Sequence, residues 1–151
     1  MIQDLLDRLF GRYETPLAEL DSRHALAGVL VRLAKADAHY HVAEIGQIDR
    51  ILQASYGLDP VAAAKLRAEA EKLEAAAPPD GRFAEAVRAR TNRQERQAVL
   101  VALWQVLLAD GYEAERQRAY LALTAERFGL TENEVAAAEA TARNGAPGLE
   151  T

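Results

Sequence analysis

The sequence predicts an all-α protein, a single-domain bundle of seven to eight helices over residues 1–151. Three observations predict it. The 9 glycines and 5 prolines fall between stretches of helical period, not inside alternating runs, so no segment asks for a strand. Apolar side chains recur at i, i+3, i+4 and i+7, the spacing that lines one face of a helix. Asp, Asn, Ser or Thr stands at the start of most of these stretches, where a side-chain oxygen can take a free backbone N–H.

The elements follow in order. A first helix carries Ile2, Leu5, Leu6, Leu9 and Phe10 on one stripe and ends near Gly11 to Tyr13, before a loop at Thr15 and Pro16. Asp21 or Ser22 caps a second helix that runs to about Ala36, with Leu26, Val29, Leu30 and Leu33 facing inward. A short turn from Asp37 to His41 leads to a third helix with Ile45, Ile48, Ile51 and Leu52, and Gly57 is placed to end it in the left-handed conformation. Asp59 as cap with Pro60 in the first turn opens a fourth helix with Ala62, Leu66, Ala70, Leu73 and Ala77 inward, and Pro78-Pro79 stops it. A short fifth helix spans Asp80 to about Arg90.

Asn92 with Glu95 three residues on reads as a capping box for the sixth helix. From Ala98 to Ala109 that helix is apolar almost all round, so it is expected to be the central buried one, with Trp104 as a core anchor. The seventh helix runs from about Tyr112 to Phe128 and ends at Gly129. Thr131 with Glu134 is a second capping box, opening an eighth helix to about Arg143. Asn144-Gly145 and Pro147 mark residues 144–151 as a frayed tail.

Composition bounds the function classes. Half of the 151 residues are apolar, enough for a sizeable core. A net charge of -5 is the wrong sign for counterion release from a phosphate backbone, so no nucleic-acid partner is expected. The absence of cysteine removes disulfides, thiolate zinc sites and thiol nucleophiles together. The longest strongly apolar run, Ala98 to Ala109, is twelve residues interrupted by Gln105, whereas a span needs about 20, so no transmembrane segment is expected. Asp4 and Asp7 stand where a secretory signal would be basic, and the reading is cytoplasmic.

The chain also matches itself. Sliding it by 73 residues lays Leu30, Ala36 and Asp37 on Leu103, Ala109 and Asp110; after the turn the offset becomes 72, and Tyr56-Gly57-Leu58-Asp59 falls on Phe128-Gly129-Leu130-Thr131. Two copies of helix, acidic turn, helix, Gly-Leu, helix predict a pseudo-twofold arrangement with halves of about 21–77 and 92–143. At these residues, Val29 through Ala36-Asp37 with Glu44 following, and Arg96 through Leu103-Trp104 to Ala109-Asp110-Gly111, the sequence resembles the small stand-alone bacterial members of the tellurite-resistance TerB family over roughly Asp21 to Thr141. The resemblance implies a duplicated, all-helical bundle without established catalysis. It also implies a metal site made from the acidic turns, and a stress- or envelope-linked process served through protein partners.

In the family pattern each turn has an Asp at the end of one helix and a Glu seven residues on. Asp37 and Glu44 fit in the first copy and Asp110 in the second, where the Glu position is Gln117. Glutamine supplies a carbonyl oxygen without charge, so three of four carboxylates remain and binding is expected to be weaker unless Glu113 or Glu115 substitutes. A calcium ion wants six to eight oxygens, hence converging segments, and neither turn has the ligand spacing of an EF-hand. His39 and His41 add imidazole to the first turn, a mixture that suits zinc, nickel or copper. The metal candidates are therefore Asp37, His41, Glu44 and Asp110, the ion calcium, magnesium or zinc. Against this stands a purely local reading: His41 caps the third helix with Glu44 at its third position, and Asp110 with Glu113 does the same for the seventh.

Catalysis finds little material. The two serines, Ser22 and Ser55, lie outside any Gly-x-Ser-x-Gly turn, and there is no glycine-rich phosphate loop. A metal-assisted hydrolase at the turns is the only enzyme the residues suggest, and the expectation is a non-enzymatic module. The other reading is a metal-independent interaction or dimerisation domain, in which the first helix makes core or homodimer contacts. Arg82, Arg88, Arg90, Arg93 and Arg96 form either a solvated face or a dock for an acidic partner. His24 reads as a first-turn helix residue without function.

Overall fold

The computed structural model describes residues 21–145, which form seven α-helices and, among the described residues, no strand. They are α1 (Ser22–Ala34), α2 (Val42–Tyr56), α3 (Pro60–Ala76), α4 (Arg82–Ala89), α5 (Arg93–Leu108), α6 (Glu115–Arg127) and α7 (Glu132–Arg143). The helix expected over residues 2–10, the Thr15-Pro16 loop and Pro147 lie outside the described residues. No helix among the described residues is long and apolar enough to cross a membrane.

Most boundaries fall where side-chain chemistry places them. Asp21 accepts from the backbone N–H of Arg23, Asp59 from Ala62, Asn92 from Glu95 and Thr131 from Glu134, each relieving an N–H that has no partner inside its helix. Both expected capping boxes form, with Glu95 taking the Asn92 N–H at 2.9 Å and Glu134 the Thr131 N–H at 2.8 Å. Gly57 and Gly129 close α2 and α6 in the left-handed conformation, and in each case the following leucine N–H reaches back to a carbonyl five residues earlier, Leu58 to Gln53 and Leu130 to Ala125, both at 3.2 Å.

The central place is not held by α5 alone. α1 is buried on every side, from Ala25 to Leu33 and Ala34 with Arg32 as the exception, and packs against α2, α3, α4, α5 and α6. α5 packs on α1, α2, α6 and α7 and contributes Leu100, Leu103, Leu107 and Trp104 to the same core. Each such leucine, removed from water, contributes about 1.5–3 kcal/mol. α4 lies close on α1 because residue 28 has no side chain: a Cβ there would sit 2.6 Å from Cδ1 of the buried Phe83 ring.

Trp104 is the buried anchor the sequence suggests, with the Arg118 and Arg143 guanidinium groups over its ring at 5.4 and 5.3 Å. Three of the arginines around α4 bond backbone carbonyls. Arg88, Arg96 and Arg93 donate to the carbonyls of Arg127, Phe128 and Gly129 at 2.8, 2.9 and 2.9 Å, gathering on the C-terminal end of α6, where carbonyls lack helical partners and the dipole favours cations. His24 is likewise engaged, its Nε2 2.8 Å from a carboxylate oxygen of Glu69 on α3.

Candidate metal centre

The site is built from the two acidic turns. After α1 the chain makes a tight bend in which the Asp37 carboxylate accepts from the backbone N–H of His39 at 3.0 Å and Ala38 takes a φ of 71°. After α5 the Asp110 carboxylate accepts from the N–H of Tyr112 at 3.0 Å and Gly111 takes a φ of 79°. These are the same Asx turn at positions 73 apart.

The turn geometry corrects one local reading. Asp110 does not cap the next helix with Glu113 at its third position, because its oxygen is committed to Tyr112, two residues on. Instead, Tyr112 to Ala114 runs on before α6 begins at Glu115, with Ala114 as its N-cap and no side-chain cap bond. Glu113 is held by Arg118 at 2.6 Å and by Arg143 at 3.0 Å, and so is not a substitute ligand. His41, by contrast, is the N-cap of α2, and Glu44 reaches back to its N–H at 3.4 Å.

The third helical positions carry the centre of the site. Glu44 stands on the same stripe as Ile48, Ile51 and Leu52 of α2, and Gln117 on the same stripe as Leu121, Thr124 and Ala125 of α6. Both are fully buried. They meet: Gln117 Nε2 donates to Glu44 Oε2 at 2.8 Å and, more loosely, to the carbonyl of Ala34 at the end of α1 at 3.4 Å. This one amide therefore ties together α1, α2 and α6. Its own oxygen, Gln117 Oε1, is buried without a hydrogen-bond partner.

Around this pair the ligating types converge. His41, Glu44 and Asp110 each present one ligand atom, all within 4.8 Å of one another, so atoms from both turns are close enough to share one ion. His41 Nε2 lies 3.5 Å from Asp110 Oδ2 and 3.8 Å from Asp37 Oδ2, so Asp37 borders the group through the imidazole. His39 is exposed and stacks on His41 with ring centres 5.7 Å apart. Burial pushes the Glu44 carboxyl above the usual carboxylate range; the Gln117 hydrogen bond opposes this, and the Asp110 charge adds to it. A buried carboxylate beside a second one is a site short of positive charge.

The sequence missed the burial of Glu44 and the role of Gln117, which it read as a weakened ligand. The signal was present in the spacing, since Glu44, Ile48, Ile51 and Leu52 fall at i, i+4, i+7 and i+8, as do Gln117, Leu121, Thr124 and Ala125.

Compared with protein families, residues 23–140 match the family described as tellurite resistance protein TerB. The chain belongs to the TerB family. A comparison with curated proteins found no match, and neither did a comparison with solved structures. The TerB match takes in both turns, α1 from its second residue and α2 to α6 entire, so the residues gathered at the candidate centre all lie inside the family's own domain.

Proposed function

We propose that this TerB-family chain is a non-enzymatic helical module that holds a divalent cation with His41, Glu44 and Asp110, with Asp37 alongside. It acts through a protein partner in a stress- or envelope-linked process. The observation that carries the cation is the convergence of three ligating atoms from two distant turns within 4.8 Å. The buried, unpartnered Gln117 oxygen beside Glu44 fits the same reading, since such an acceptor calls for a donor or an ion. A bound dication would supply the positive charge that the facing carboxylates lack. The side chains do the rest: Glu44 reports the state of the site to Gln117, and Gln117 passes it to α6 and to the Ala34 carbonyl of α1. The surface presented to a partner thus depends on how these three helices sit. The non-enzymatic reading rests on the sequence, which has no cysteine and no serine in a nucleophile turn.

Thermal melts in millimolar calcium, magnesium, manganese and zinc test this. At an ion concentration a hundred times its Kd the folded state gains about 2.7 kcal/mol, a shift of several degrees for a chain this size. Asp110→Ala abolishes the shift. Glu44→Gln abolishes it too, yet raises the ion-free melting temperature by about 2–5 °C, because it removes a buried charge while keeping an acceptor for Gln117. No shift with any of the four ions removes the cation from the reading.

A second reading, a metal-independent interaction or dimerisation domain, is favoured by the contacts that already join the site: Gln117 with Glu44, and His41 with both aspartates. It predicts that Glu44→Gln costs no more than a typical capping loss, about 0.5–2 kcal/mol, the same with and without added ion.

A further inference from the structure

Resting on the cation reading above, we propose that His41 and Gln117 together set the choice of ion, making this a site for a nitrogen-preferring d-block dication, with zinc as the probe, and not for calcium or magnesium. The donor set carries the argument. Calcium takes six to eight oxygens and magnesium a near-octahedral oxygen shell. The group joins one imidazole to two carboxylates, with the Asp37 carboxylate next to that imidazole. A donor set mixing imidazole nitrogen with carboxylate oxygen is one that zinc takes, and imidazole suits late first-row ions generally.

Gln117 narrows the choice further. Its N–H holds Glu44 Oε2 at 2.8 Å while the His41 N–H reaches Oε1 at 3.4 Å, so both oxygens are oriented and each keeps a lone pair for an ion. The amide is fully buried, so its orientation is fixed by packing, and its Oε1 has no hydrogen-bond partner. A neutral amide here also leaves His41, Glu44 and Asp110 with two formal negative charges against a dication, fewer than an oxygen-only site for a hard ion would collect. In this arrangement Gln117 is a positioning residue: it acts on the ion through Glu44.

Calorimetric titration of the untagged full chain with zinc, calcium and magnesium chlorides tests this, using the wild type, His41→Ala, His39→Ala, Gln117→Glu and Asp110→Ala, each first shown to melt cooperatively. The expected results are zinc bound at least roughly tenfold tighter than calcium, a roughly tenfold or greater loss of zinc affinity in His41→Ala, and retention of zinc in His39→Ala. Gln117→Glu narrows the gap by strengthening calcium. His41→Ala keeps the test alive if Gln117→Glu does not fold, because position 41 is a partly exposed N-cap. Calcium bound as tightly as zinc in an Asp110-dependent manner overturns this inference and leaves the cation reading standing. The same holds if zinc affinity is indifferent to His41. Zinc lost in His39→Ala but kept in Asp110→Ala marks an adventitious surface histidine and overturns both, as does the absence of binding by all three ions.

Discussion

Ala38 and Gly111 occupy the same place in the two acidic turns and take nearly the same backbone conformation, φ 71° and 79°, yet only one of them is a glycine. An L side chain in the left-handed region crowds the following carbonyl, so the first turn carries strain that the second does not. Ala38→Gly is expected to stabilise the chain by about 0.5–1 kcal/mol, the relief of strain less the extra freedom glycine gives the unfolded state. Gly111→Ala, where an added Cβ meets nothing within 4 Å, is expected to destabilise it by about 1 kcal/mol through conformation alone. Urea unfolding of both variants checks the pair; equal effects of one sign would show that the turns are not equivalent in solution. The Asp side chains stay on the N–H groups of His39 and Tyr112 in either case, so ion binding is the control that should not move.

Among the elements, α1 and α4 come close together at Gly28. Helix propensity alone favours alanine over glycine by about 1 kcal/mol in mid-helix, so Gly28→Ala looks stabilising from the sequence. The Phe83 ring reverses that sign. It is buried, and a Cβ at 2.6 Å forces it or the α1–α4 spacing to shift, so a net loss of about 1–3 kcal/mol is expected, read as a lower denaturant midpoint at unchanged slope. The same α4 region, with the start of α5, sends Arg88, Arg93 and Arg96 to the end of α6. Three of the five arginines that the sequence leaves as a solvated face or a dock for an acidic partner thus lie at the negative end of a helix dipole.

For the molecule as a whole, an ion cluster between distant elements adds stability that acid removes. Glu74 near the end of α3 receives Arg32 of α1 at 3.0 Å and Lys35, just beyond it, at 2.8 Å. Burial raises its pKa, but the hydrogen bonds from Lys35 and Arg32 outweigh that and leave it below the ordinary glutamate value. A carboxyl with a lowered folded pKa stabilises the fold fully above its unfolded pKa, and that contribution is lost as pH falls through the folded value. Glu74→Gln is therefore expected to cost about 1–3 kcal/mol at pH 7, a partly buried pair lying between the exposed and buried cases. The difference from wild type shrinks as pH falls below the usual glutamate range, which unfolding curves measured from pH 7 down to pH 3 would record.

The amino-acid order by itself determined the helical class, nearly every helix end and the residues of the two turns. Those are local matters: apolar period, capping oxygens and residues suited to positive φ act over a few positions, so they can be read where they stand. Tertiary structure decided that α1 shares the centre with α5, that Asp110 closes its own turn and leaves α6 to Ala114, and that Arg88, Arg93 and Arg96 reach the carbonyls at the end of α6. It also decided the chemistry of the site, because Glu44 and Gln117 acquire their roles only by meeting across 73 positions of chain in a place without water. The worth of a charge or an amide depends on what surrounds it, and packing alone supplies those surroundings.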